Sequence, residues 1–143
     1  RRVQTMMGQE TYLFDGTIRE NLTIACNSAD SAASAIPDSV LREALAKASA
    51  LELVDALPNG LDTQVGELGG RLSEGEKQRI GLARMFLRDA DLVLFDEPTS
   101  RLDAYNESVI LGSVNNLAEQ GSAVVLVSHR DSTMRVADRI LRM

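Results

Sequence analysis

Apolar positions recur along the 143 residues with two different periods, and these set the expected elements. Residues 3–7 lean apolar and end at Gly8, the pattern of a short strand. Residues 16–25 read as a short helix, and the Ser/Ala-rich stretch 26–37, with no apolar period, reads as a surface loop. From Asp38 onward, Val40, Leu41, Ala44, Leu45 and Ala48 fall at helical spacing and form one apolar stripe. A second short helix is expected over 50–57. It is followed by a turn at Pro58-Asn59-Gly60 and a glycine-rich loop over 63–70.

Ser73 opens a longer helix with Ile80, Ala83 and Leu87 on one side and Leu82 and Phe86 close by. The period then changes. Leu92-Val93-Leu94-Phe95 is a continuous apolar run, as in a strand buried on both faces, and it stops at Asp96-Glu97-Pro98. A helix is predicted over 104–119, with Ile110, Leu111, Val114, Leu117 and Ala118 as its inner face and Gly121 as terminator. Residues 123–127 read as a second buried strand, stopping at Ser128-His129. Strand, helix and strand over this length make a βαβ unit, so the two strands are expected to be parallel with a right-handed crossover. Residues 139–143 read as the start of a further strand, which suggests a piece cut from a longer polypeptide.

Composition narrows the classes. A net charge of −6 argues against non-specific nucleic-acid binding, which calls for a basic face. Aromatics at 3% with no Trp leave little for a base-stacking platform. No apolar run approaches the length of a membrane span. The single Cys26 rules out a disulfide within the chain and a cysteine-based zinc site, and fits a reducing compartment.

Chemistry concentrates at three places. Asp96 and Glu97 emerge from a buried strand, at the edge where parallel α/β sheets bind ligands. One carboxylate there can hold Mg²⁺, and the other can orient or deprotonate a water. A polar cap before the turn at Pro98 is the simpler alternative. His129 follows the neighbouring strand and would open into the same crevice, where an imidazole can donate to a phosphate oxygen; a purely structural histidine is the alternative. Ser73 and Glu76 make a capping box, which explains both without a ligand. The box does not explain Gly75, which costs about 1 kcal/mol relative to Ala inside a helix and suits a close approach to the backbone.

Assembled in chain order, these pieces resemble the ATP-binding domain of an ABC transporter. Gln9 in Met7-Gly8-Gln9-Glu10 resembles the Q-loop, and Leu72-Ser73-Glu74-Gly75-Glu76 the LSGGQ signature. Leu92-Val93-Leu94-Phe95-Asp96-Glu97 resembles Walker B with its glutamate, Ser100-Arg101-Leu102-Asp103 the D-loop, and His129 the switch histidine. Two segments resemble the exporter subclass: Leu13-Phe14-Asp15-Gly16-Thr17-Ile18-Arg19-Glu20-Asn21, and Thr63-Gln64-Val65-Gly66-Glu67, which is similar to the X-loop.

The resemblance implies an α/β fold. It would be a partial P-loop NTPase (RecA-like) core with parallel strands, joined to the ABC α-helical subdomain, with the Walker A half absent. Residues 1–15 would form a core strand and the Q-loop. Residues 16–90 would form the helical subdomain with X-loop and signature, and 91–143 the rear half of the ATP-binding core. It further implies ATP and Mg²⁺ as ligands. Gln9 would touch Mg²⁺ and the lytic water, Asp96 would support Mg²⁺, and Glu97 would act as general base. His129 would contact the γ-phosphate. Ser73, Gly75 and Glu76 would grip ATP held by the opposite protomer, and Asp103 would help join the two sites.

The implied partners are a second ABC ATPase domain, identical or not, and a transmembrane domain, expected in the same polypeptide, with no nucleic acid. The implied location is the cytoplasmic face of the cell membrane. The implied reaction is ATP hydrolysis driving export of a substrate that this stretch does not specify. Departures stand beside the match. No Gly-x-x-x-x-Gly-Lys-Ser/Thr loop occurs in the sequence, so the chain alone is expected to be inactive. Glu74 replaces the first signature glycine, Glu76 stands in place of Gln, and Arg101 puts a cation in the D-loop. Two alternatives are a soluble ABC-type ATPase of DNA repair or translation, and a non-catalytic dimerisation module.

Overall fold

The computed structural model describes residues 4–8, 11–24, 36–66, 70–88 and 90–142. In chain order it comprises β1 (Gln4–Met7), α1 (Ile18–Thr23), α2 (Asp38–Lys47), α3 (Leu51–Asp55) and a 3-10 turn (Gly60–Asp62). There follow α4 (Glu74–Arg88), β2 (Leu92–Asp96), α5 (Ala104–Glu119), β3 (Ala123–Val127) and α6 (Asp131–Met134). The three strands form one parallel sheet in the order β1-β2-β3. In its register Met7 lies opposite Phe95, and Asp96 opposite Val127.

Local sequence explains several helix ends. Thr17 and Glu20 close a capping box on α1, and Asp103 caps α5 by accepting from the Asn106 amide at 2.8 Å. Gly121 has φ of 102°, a left-handed backbone suited to glycine, and its N–H returns to the Ala118 carbonyl at 3.1 Å.

One hydrophobic core joins the sheet to the helices. Val93 and Phe95 of β2 meet Ile80, Leu82 and Ala83 of α4 and Ile110, Val114 and Leu117 of α5. Leu41, Ala44, Leu45 and Ala48 of the α2 region join the same cluster. Asn21, fully buried, is satisfied on all sides. Its Oδ1 accepts from Phe14 N–H (3.0 Å) and Arg84 Nη2 (2.8 Å), and its Nδ2 donates to the carbonyls of Phe14 (3.1 Å) and Thr17 (2.9 Å). Arg84 also donates to the carbonyls of Asn21 and Tyr12, each at 2.8 Å, which fastens α4 to the segment before α1.

Several expectations need correction. The helix expected over 16–25 is shorter, because Thr17 is its cap rather than its second residue. The helix expected over 50–57 is Leu51–Asp55. Val40 and Ala118 fall outside the buried stripes. The strands are not buried on both faces. Along β2 burial alternates, with Val93 and Phe95 fully buried and Leu92 and Leu94 half-buried. β3 is an edge strand on which Val125 and Val127 are about half exposed. Among the described residues one sheet face is covered far more fully than the other, and a continuous apolar run does not say which faces its neighbours will cover. Residues 139–142 form no strand. The loop expected over 26–37 lies mostly outside the described residues.

Candidate functional site at the carboxyl edge of the sheet

Asp96 ends β2, and the chain turns sharply at Glu97, whose φ is +51°. That left-handed conformation is costly for a residue with a Cβ, by about 1–2 kcal/mol. It is held by a hydrogen bond from the Glu97 amide to the Val127 carbonyl at 2.8 Å. The turn brings the Glu97 side chain back over the sheet edge, where it is only 12% exposed. His129 leaves the end of β3 with a side chain 95% exposed, and its Nε2 lies 3.3 Å from Glu97 Oε1. That contact is at ion-pair distance but lacks hydrogen-bond geometry, so Oε1 is a buried acceptor without a donor. Parallel pairing of β2 with β3 thus brings together the acid and the imidazole that the sequence set apart.

Behind this pair lies an ionic brace that the sequence analysis missed. Arg130, next to His129, pairs with the carboxylate of Glu107 on α5, and both of its terminal nitrogens reach the Leu102 carbonyl at 3.4 Å. Glu107 is 8% exposed. The Ser132 hydroxyl, helped by the Arg130 guanidinium, holds its carboxyl below the usual carboxylate range despite the opposing effect of burial. A signal for it existed: Glu107 sits one turn before Ile110 and Leu111, in register with the apolar stripe, where a charge needs a partner.

The predicted capping box at α4 is formed. The Ser73 N–H donates to Glu76 Oε1 at 3.1 Å, and the Glu76 N–H donates to Ser73 Oγ at 3.2 Å. Glu74, in the place of a signature glycine, pairs with Lys77 at 3.1 Å. The close approach to Gly75 comes from within the chain, since a Cβ there would lie 2.7 Å from Asn106 Oδ1 of α5. Asn106 Nδ2 in turn donates to Asp103 Oδ1 at 3.0 Å. Gln9 lies outside the described residues.

The two segments that resembled the exporter subclass are joined. Ile18 N–H donates to the Thr63 carbonyl at 3.1 Å and Val65 N–H to the Gly16 carbonyl at 3.0 Å, with Thr17 bridging Gln64. Glu67 lies outside the described residues. Among the described residues no group of three or more His, Cys, Asp or Glu side chains is placed to hold a bare metal ion. The acidic pair at the sheet edge fits the other arrangement, in which Mg²⁺ takes one or two carboxylates and completes its shell with phosphate oxygens and water. No helix among the described residues is long and apolar enough to cross a membrane.

Comparison with known proteins gives the family and the fold. A profile of the family described as ABC transporter matches residues 1–100. A probable ABC transporter ATP-binding/permease protein of Haemophilus influenzae is 45% identical over 93% of this chain and 23% of its own length. An ATP-dependent lipid A-core flippase of Shewanella frigidimarina is 41% identical over 99% of this chain and 22% of its own. Among solved structures, a bacterial Atm1-family ABC exporter with ATP bound superposes with a TM-score of 0.75 at 31% identity, over 92% of this chain and 22% of that one. With that neighbour, the parallel sheet and its helices fit part of a P-loop NTPase core. The chain belongs to the ABC transporter family, a family of ATP-binding ATPases, and matches its exporter-type members. It spans less than a quarter of the length of these relatives.

Proposed function

We propose that this chain supplies one part of the ATPase domain of a membrane exporter, in which ATP binding and hydrolysis at a dimer interface drive substrate movement. The observation that carries the reading is the contact between Glu97 and His129. A buried carboxylate oxygen with no donor lies 3.3 Å from an exposed imidazole at the ligand-binding edge of a parallel sheet.

In this reading Glu97 Oε1 accepts the proton of the attacking water, and His129 Nε2 donates to a γ-phosphate oxygen. Asp96 holds Mg²⁺, which when bound neutralises charge on the phosphates. Positioning and charge stabilisation provide most of the rate, so a carboxylate and an imidazole fixed by the β2–β3 register are suited to the task. Gln9, read from its motif alone, would reach the metal and the water. Ser73, Gly75 and Glu76 would meet ATP held by a second ATPase domain, with Asp103 at the same interface. Residues 1–15, 16–90 and 91–143 would serve as core strand with Q-loop, helical subdomain and rear core.

Because the relatives are named as permease fusions, flippases and exporters, the full-length protein is proposed to carry a transmembrane domain. Its ATPase would then lie on the cytoplasmic face of the membrane. The 143 residues contain no phosphate-cradling Gly-Lys-Ser/Thr loop, so hydrolysis is assigned to the full-length protein and not to this segment alone.

The test is steady-state ATP turnover of the full-length protein. Glu97→Gln and His129→Ala should each lower kcat by about 10²–10⁴-fold with nucleotide binding retained. Turnover of Glu97→Gln at the wild-type rate would overturn the assignment.

A further inference from the structure

The first turn of α5 touches the first two turns of α4 through one side chain. Asn106 Oδ1 accepts from Arg79 Nη2 at 2.6 Å, while Asn106 Nδ2 donates to Asp103 Oδ1 at 3.0 Å. The same amide fills the space a Cβ would need at Gly75, where Oδ1 would lie 2.7 Å and Cγ 2.8 Å away. Gly75 is buried, although it lies only two residues beyond the Ser73 cap. The Arg79 guanidinium also lies 6.0 Å from the ring centroid of Tyr105, the residue preceding Asn106. Two helix starts far apart in sequence are therefore fastened by an amide with both ends occupied, and by a glycine that leaves room for it.

We infer that Asn106 is a positioning residue: it clamps the start of α4, by packing on Gly75 and bonding Arg79, to Asp103, so the two stretches proposed to face a second ATPase domain move as one body. The inference rests on that reading of the two stretches. Its physical content is separate and local. An amide can donate to Asp103 and accept from Arg79 at once, whereas a carboxylate at the same place keeps the acceptor and sets a like charge against Asp103. Asp103→Ser answers that change. Asp103 Oδ1 takes both bonds on one atom, from the Asn106 amide and from Nδ2, and a serine hydroxyl in its place can accept the cap bond and donate to a carboxylate at 106, while the Arg79 bond is kept.

The test uses the full-length protein and two readouts. In amide hydrogen exchange, Asn106→Asp should speed exchange over the first two turns of α4, at residues 76–79, by about ten-fold. Adding Asp103→Ser to Asn106→Asp should bring it back near the wild-type rate. In ATP turnover, Asn106→Asp should lower kcat by about ten- to a hundred-fold with little change in KM, since it displaces groups rather than removing a nucleotide contact. Unchanged exchange at 76–79, failure of Asp103→Ser to restore it, or an unchanged kcat would each overturn the clamp. Glu97→Gln run in parallel separates the two ideas. If it still turns over ATP, the functional reading fails, while the exchange data still decide the clamp.

Discussion

Glu97 Oε1 lies 3.3 Å from His129 Nε2, although the two residues follow different strands and differ widely in exposure. Two features of the backbone produce the contact. β2 and β3 pair in parallel, so both strand ends reach one edge, and Glu97 adopts a left-handed turn that folds its side chain back over that edge. A strained conformation at a residue proposed to move a proton is strain placed where a fixed geometry has a use.

That strain is measurable. Glu97→Ala keeps the Cβ at φ +51°, whereas Glu97→Gly removes it. The backbone hydrogen bond to Val127 is available to both. The glycine variant should be more stable than the alanine variant by about 1 kcal/mol in urea unfolding, and both should lack ATPase activity in the full-length protein. Equal stabilities would show that the turn carries no strain.

Asn21 and Arg84 join the segment before α1 to α4 by a fully satisfied buried network. Asn21→Ala leaves the Phe14 amide and part of the Arg84 guanidinium without partners in the interior. Chemical denaturation should show a loss of about 2–4 kcal/mol. A loss within the range of an ordinary surface substitution would mean that water replaces the amide there.

Glu107 gives a pH signature. Its folded carboxyl titrates below the ordinary value of 4.5, so its contribution is complete above that value and disappears as pH falls through the lower folded value. Wild type should therefore exceed Glu107→Gln in stability at neutral pH. The gap should close as the pH of the unfolding experiment is lowered from about 6 towards about 3. A gap that stays constant across this range would contradict the assignment of the Arg130–Glu107 pair.

What the sequence made legible was local or periodic. The Ser73/Glu76 box is an interaction across three residues and needs no knowledge of the fold. The Glu97–His129 meeting followed from two apolar runs around one helix, because parallel neighbours end on one edge. Pairings between distant elements were not legible. Nothing near Gly75 announces that Asn106 will fill the space beside it, and Glu107 sits in an apolar stripe whose meaning depends on Arg130. The exposure of Val125 and Val127 was misread for a related reason: apolar content reports affinity for a cover, not its presence.

The two faces of the sheet should respond differently to truncation. Phe95→Ala removes a fully buried ring and should cost about 3–5 kcal/mol, whereas Val127→Ala, half exposed on β3, should cost well under half of that in the same urea titration. Equal costs would place a cover over β3 that the described residues do not contain.

The most direct test of the account is a crystal structure of the full-length Glu97→Gln protein grown with Mg²⁺ and ATP. The γ-phosphate should lie within hydrogen-bond reach of His129 Nε2, with Asp96 at the metal and the residue 97 side chain facing the water in line with the terminal phosphorus. Density that puts the triphosphate away from the ends of β2 and β3, with His129 turned to bulk solvent, would contradict it.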